Sequence, residues 1–235
     1  MKYFDYSRKI SYSFGDIINV PDIPTIVKSR PICEKNSNSI LMKLNKVRHF
    51  IFVDDKIDFE DKFDKAVWRG KCSRQHRVDF VKKFYDKDFC NIGQTNTKGN
   101  TRVPWQKEKL SLGEQLKYKF LVAIEGNDVA SNLKWAMSSN SLTMMAKPKY
   151  ETWFMEGTLK GNYHYVLLKD DYSDLEEMIK HYSKNIDEAK RIIKNANKYV
   201  EKFKNQINED IISYMVLEKY FANGRPMSLT EQVGL

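Results

Sequence analysis

Cysteine is scarce in this chain. Three residues, Cys33, Cys72 and Cys90, occur in 235, with no CxxC spacing and no even count. A disulfide-stapled secreted scaffold is thereby disfavoured, and a reduced cytoplasmic interior is expected. The four histidines (His49, His76, His164 and His181) show neither HxH nor HExxH spacing, so no zinc site is expected. His164, alternating with aromatics in NYHYV, reads as a satisfied core residue. Long apolar runs are missing as well. None reaches the roughly 18 residues of a membrane-spanning helix, and MKYFDYSRKI lacks the apolar stretch of a signal peptide. There is no Walker loop, GxGxxG fingerprint, GxSxG elbow, repeat or low-complexity tail.

What is present is a globular balance, 41% hydrophobic and 30% charged, over a length that makes one large domain or two small ones. The net charge of +9 fits nucleic acid, an anionic membrane surface or a phosphorylated ligand. It also fits a plainly solvated surface, because many lysines after position 180 alternate with Glu and Asp on expected helices.

Along the chain, KISYSFG reads as a short strand ending at Asp16, and Pro21, Pro24 and Pro31 break up the next stretch. SILMKLNKVRHF suits a short amphipathic helix, with HFIFV a strand behind it. KAVWRG reads as a strand ending at Arg69-Gly70, residues 75–86 as a helix and 90–106 as a loop. YKFLVAIEGNDVASNLKWAMSSNS reads as buried strand, glycine turn, helix with a polar start and second buried strand. YHYVLL is a further strand. Ser173 with Glu176 has capping-box spacing, Asn185 with Glu188 supports another helix start, and a last helix covers roughly 208–222. Alternating strands and helices indicate an α/β domain.

Four constellations can carry chemistry. In VWRGKCSRQHR, Arg69, Lys71, Arg74 and Arg77 surround Gly70, a pattern that suits a diphosphate and equally suits a basic surface turn. In IEGNDVASNLKW, Gly126 can turn and Asn127 or Asp128 can cap a helix whose open N–H groups suit an anion. The plain alternative is an ordinary strand-to-helix connection. Asp128 would oppose a bound phosphate unless it faces away, and Lys134 points either at ligand or at solvent. Asp16 and Asp22 can each serve as a general base, although most such aspartates form turns. Glu151 and Glu156 flank Trp153 and Phe154, a combination found in sugar sites and also in ordinary cores.

Taken in order, WRG (68–70), Arg77, KYKFLVAIEGNDVASNLKW, SNS (139–141), ETWFMEG (151–157), HYV (164–166) and DYSDLEE (171–177) resemble glycosyltransferase family 90. The likeness is greatest to its bacterial LpsA-like branch, which builds lipopolysaccharide core. The resemblance runs over roughly residues 10–222. It implies a GT-B-like α/β fold: a Rossmann-type donor lobe over 63–235 with C-terminal helices, and a reduced N-terminal, acceptor-side lobe over 1–62. It implies a UDP-hexose donor, UDP-glucose or UDP-galactose, and no metal or other cofactor. Arg69, with Gly70, Lys71, Arg74 and Arg77, would lie near the donor diphosphate. Gly126, Asn127, Asp128 and Ser141 would line the donor pocket. Asn132 stands where eukaryotic members have a phosphate-binding arginine, with Lys134 as a substitute charge. Glu151, Trp153 and Glu156 would touch substrate, and Asp16, ahead of Asp22, would be the base. The implied acceptor is a lipid-linked oligosaccharide, reached by a cytoplasmic enzyme in peripheral contact with an anionic inner membrane. A non-catalytic donor-binding member is the alternative. A basic nucleic-acid-binding protein ranks lower, because no RRM, KH or helix-turn-helix signature is present.

Overall fold

The computed structural model describes residues 4, 7–44, 49–97 and 102–223. Among these, five strands form one parallel sheet: β4 (Phe63–Gly70), β5 (Cys90–Gln94), β6 (Tyr118–Val122), β7 (Leu142–Ala146) and β9 (Val166–Leu168), in the order β5-β4-β6-β7-β9. Side chains alternate across the pleat, and both faces are buried, so the strands read as nearly continuous apolar runs. Phe120, Val122 and Ile124 face a core shared with Trp68, Ile92 and Met144. That core is covered by α1 (Gln75–Phe84), α4 (Leu175–Lys184) and the first half of α5 (Ile186–Glu201). Leu121 and Ala123 face the other side, where α3 (Leu133–Met137) and the end of α5 supply Ala136, Met137 and Val200. The short α2 (Leu112–Gln115) precedes β6 and starts with a full Ser111–Glu114 capping box.

The N-terminal segment has short strands of its own. β1 (Thr25–Val27) runs parallel to β3 (Ser39–Leu41), and β2 (Ser29–Pro31) pairs antiparallel with β8 (Tyr150–Thr152). The last helix, α6 (Gln206–Asn223), closes over them. Leu217 and Tyr220 pack on Ile26, and the Tyr220 hydroxyl accepts from the Ser11 amide at 2.9 Å.

Several expected elements differ. SILM is not helical: Ser39–Leu41 is β3, whose ends bury Ser39 and Leu41 beside β1, while residues 45–48 lie outside the described set. Phe50, Phe52 and Val53 make no strand and instead fill gaps in the core as loop residues. KISYSFG contributes one bridge, Tyr12 to Ile26, rather than a strand. CNIGQ, read as loop, is β5. No capping box forms at Ser173; Asp174 and Asn185 precede α4 and α5 without side-chain cap bonds.

One polar interaction inside the fold carries unusual weight. The Lys62 and Asp55 side chains are buried and 2.8 Å apart, and Asp55 Oδ2 also accepts from the Asn140 amide at 2.9 Å. Burial pushes the Lys62 ammonium below its usual range, with Asp55 opposing that shift. Asp55→Ala leaves an ammonium buried without its counter-charge, so denaturant unfolding should show a loss of about 3–5 kcal/mol.

Candidate functional site

Numbered along the sheet, the strand order is 2-1-3-4-5, so the chain leaves β4 in one direction for β5 and in the other for β6. In open α/β sheets, ligands lie at the carboxyl ends of strands beside such a reversal, where the two outgoing loops diverge. A cavity of about 360 Å³ opens at that edge. Arg74 and His76 reach it from the β4 side, Glu125, Gly126 and Asn127 from the end of β6, and Lys147 and Lys149 from the end of β7. Tyr150, Glu156 and Tyr172 complete the wall, with Ile18 from the N-terminal segment. The volume falls within the roughly 300–1,000 Å³ of small-molecule sites.

Arg77 fixes the geometry of this edge. Its guanidinium donates to the carbonyl oxygens of Lys71 (3.1 Å), Ile124 (2.6 Å) and Glu125 (2.8 Å) and lies 5.6 Å from the Trp68 ring. The loop after β4 is thus tied to the end of β6. Gly126 is needed here for close approach, since a Cβ would come within 3.2 Å of Arg77 Nη2.

A polar chain continues from this point. Arg74 Nε donates to Asn127 Oδ1 at 2.5 Å, and Asn127 Nδ2 donates to Asp16 Oδ2 at 3.0 Å. Asp16 Oδ1 is 2.5 Å from the Lys28 ammonium, which also lies 2.8 Å from Asp128. Asp128 therefore faces Lys28, away from an anion in the cavity.

Of the sequence candidates, the cavity gathers Arg74, Gly126, Asn127 and Glu156, with Asp16 one hydrogen bond behind Asn127. The others lie elsewhere. Arg69 turns to β5 and donates to the Asn91 carbonyl (2.7 Å), Asn91 Oδ1 (2.7 Å) and the Glu108 carbonyl (2.9 Å). The space beside Gly70 is filled by the Trp68 ring, which stands where a Cβ would go, and not by open cavity. Lys71 is exposed and contributes a backbone carbonyl to Arg77. Ser141 precedes β7 at the opposite edge of the sheet and donates to the Tyr118 carbonyl. Asp22 sits in an exposed loop away from the cavity lining.

The helix expected to open at Asn127 or Asp128 begins only at Leu133, and neither residue caps it. Both side chains are committed to Asp16, Arg74 and Lys28, and Asn132 donates to the Val122 carbonyl at 2.9 Å. Lys134 points neither at solvent nor at the cavity. It is fully buried and 2.5 Å from Glu156, which also accepts from the Thr152 amide. Glu151 pairs with Arg30 at 2.8 Å, and the Trp153 indole donates to Glu209 at 2.9 Å.

Sequence reasoning missed His76, Glu125, Lys147, Lys149, Tyr150 and Tyr172. The signal available for the lysines was Lys-Pro-Lys directly after the apolar run of β7, where a strand's carboxyl end meets the cavity. Arg74, Lys147 and Lys149 can meet an anionic group, although Glu125, Glu156 and Asp170 share the wall and Lys149 lies 3.4 Å from Asp170; Glu125 and Tyr172 offer polar atoms for hydroxyls.

Residues 39–222 match the model of Glycosyl transferase family 90. The chain belongs to this family of glycosyltransferases. The O-glucosyltransferase LpsA of Dichelobacter nodosus is 40% identical over 222 residues, covering 94% of this chain and 70% of that protein. Protein O-glucosyltransferase 3 of Rattus norvegicus is 28% identical over 167 residues, 68% of this chain but 32% of that protein. Protein O-glucosyltransferase 2 of Danio rerio is 27% identical over 140 residues, 57% of this chain and 28% of that protein. Membership of this family implies a sugar donor and an acceptor. No helix among the described residues is long and apolar enough to cross a membrane.

The cavity wall generates two expected outcomes. Lys134→Met should lower stability by about 3–5 kcal/mol, because Glu156 is left buried without its counter-ion, and adding Glu156→Leu should recover much of it; thermal and denaturant unfolding of wild type and the two variants check this. Burial raises the Glu125 carboxyl above its usual range, against the opposing bonds from the Lys149 and Tyr150 amides. The folded state therefore binds the proton more tightly than the unfolded chain, and wild type loses stability as pH rises through the two values. Relative to wild type, Glu125→Gln should gain stability as pH rises from the ordinary carboxylate range upward, which denaturant unfolding at a series of pH values checks.

Proposed function

We propose that this chain transfers a hexose, glucose or galactose, from a UDP-sugar to a hydroxyl of a lipopolysaccharide or lipooligosaccharide core acceptor. The observation that carries the reading is the cavity at the sheet reversal of a family-90 chain, lined by Arg74, Lys147 and Lys149, with the Asp16 carboxylate one hydrogen bond from its rim. The bacterial relative is named as an O-glucosyltransferase, which supports glucose as the sugar. Arg74, Lys147 and Lys149 provide the charge that a diphosphate requires, and the end of β6 provides backbone close to it.

Asp16 is the general base in this scheme. Its carboxylate takes the acceptor hydroxyl proton as that oxygen bonds to the anomeric carbon. The bond from the anomeric carbon to the diphosphate oxygen breaks, and UDP leaves with the electron pair while the cations stabilise it. The donor lobe is the five-stranded sheet with its helices, and residues 1–62 belong to the acceptor side of a GT-B arrangement. Surplus lysines favour peripheral contact with an anionic membrane on the cytoplasmic side.

A screen of UDP-glucose, UDP-galactose, UDP-xylose and UDP-N-acetylglucosamine by saturation-transfer NMR tests the donor class, with UDP-glucose or UDP-galactose expected to give the strongest transfer. Binding of none of them would remove the reading. Arg74→Ala should weaken UDP binding by about tenfold or more in calorimetry. Asp16→Asn should cut transfer by about 10²–10⁴-fold, with UDP affinity retained, whereas Asp22→Asn should transfer at close to the wild-type rate. The reverse result would move the base to Asp22.

A further inference from the structure

We propose that Lys28 is a positioning residue for the transfer step, holding the Asp16 carboxylate against the donor loop; this rests on the reading of Asp16 as the base. Lys28 is the single residue between β1 and β2 and is 6% exposed. Its ammonium touches two carboxylates, Asp16 Oδ1 at 2.5 Å and Asp128 Oδ2 at 2.8 Å. No hydrogen bond reaches Asp128 Oδ2, so the ammonium is the counter-charge of a buried oxygen.

The neighbouring pair of residues repeats the contact. Ser29 Oγ accepts from the Ile17 amide at 3.1 Å and lies 3.2 Å from the Ile17 carbonyl. Two consecutive residues of the β1–β2 junction therefore clamp two consecutive residues of the Asp16 segment. On its far side, Asp16 is joined through Asn127 to Arg74 at the cavity. A continuous series Asp128–Lys28–Asp16–Asn127–Arg74 sets the base in register with the groups assigned to the leaving diphosphate.

An arrangement made for stability alone has little use for it. A buried ammonium loses hydration that its partners barely restore, and an apolar side chain of similar length would fill the same volume. What the ion pair adds is direction. The Asp16 side chain stays 28% exposed, open to an acceptor hydroxyl, while one oxygen is fixed. Asp128 takes the other side of the ammonium, so Asp16 shares that positive charge instead of holding it alone.

The test uses the full chain, UDP-glucose as donor and purified lipooligosaccharide as acceptor, with UDP affinity from calorimetry and thermal unfolding in parallel. Lys28→Met is expected to lower kcat about 10–100-fold, the scale of a base displaced by roughly an ångström, with donor KM and UDP affinity changed less than about twofold. Lys28→Arg, which can still bridge two carboxylates, should restore most of kcat. Wild-type kcat in Lys28→Met would overturn the proposal, as would a kcat loss matched by an equal loss of UDP affinity and left unrescued by arginine. Should Lys28→Met not unfold cooperatively, Lys28→Gln carries the same two readings. Asp16→Asn separates the layers. Full activity there overturns both the base and its positioning, whereas an inactive Asp16→Asn beside a fully active Lys28→Met overturns only the role of Lys28.

Discussion

The edge of the sheet depends on Arg77. One guanidinium satisfies carbonyl oxygens from the loop after β4 and from two consecutive residues at the end of β6. Those carbonyls lie where the strand order reverses and no neighbouring strand can take them up. Unpaired buried carbonyls are costly, so a planar donor able to serve several at once stabilises a loop pair that would otherwise spread. Trp68 supports the guanidinium from below, and the absence of a side chain at Gly126 lets it come close. The consequence is a cationic residue spent on shape. Arg77 builds the crevice, while Arg74, Lys147 and Lys149 line it.

Buried ion pairs then join the N-terminal segment to this frame. Lys28 meets Asp16 and Asp128, Arg30 meets Glu151, and Lys43 meets Glu209, the last three acids lying far along the chain. Strands of three residues have too few ladder bonds to define their own register. Paired charges in partly buried surroundings penalise every misalignment that leaves one of them unmatched, adding to the apolar packing of Ile26, Val27 and Leu41.

The sequence was most legible where burial was simplest. YKFLVAI and SLTMMA are apolar on both faces because helices cover both sides of the sheet, and such runs announce themselves. CNIGQ was not legible as β5. It is an edge strand with one large apolar residue, Ile92, and its pairing to β4 and to the Trp105–Lys107 loop is a tertiary fact. Asn127 and Asp128 looked like helix caps because their types favour caps, yet partners distant in sequence, Arg74, Lys28 and Asp16, claimed them. Lys134 looked available as a ligand charge because its only visible neighbours were local; Glu156, 22 residues on, was the partner that mattered. Which cations reach the cavity was decided by contacts of this kind, between residues far apart in the chain.

Net charge divides along the same line between buried pairs and free cations. Lys28, Lys62 and Lys134 are buried against acids and add nothing to the field outside, yet each removes an acid from the surface as well. The surplus of +9 is therefore carried by exposed groups, while the cavity wall sets Arg74, Lys147 and Lys149 beside Glu125, Glu156 and Asp170. Arg74, Lys147 and Lys149 sit in the segments that follow β4 and β7, so the positive groups of the wall are carried by neighbours of the sheet's core strands. The Asp16 carboxylate, behind Asn127, belongs to a segment held by polar contacts and by the apolar packing of Ile17. Charge held in buried pairs thus shapes the cavity wall, while charge on exposed side chains sets the field outside it.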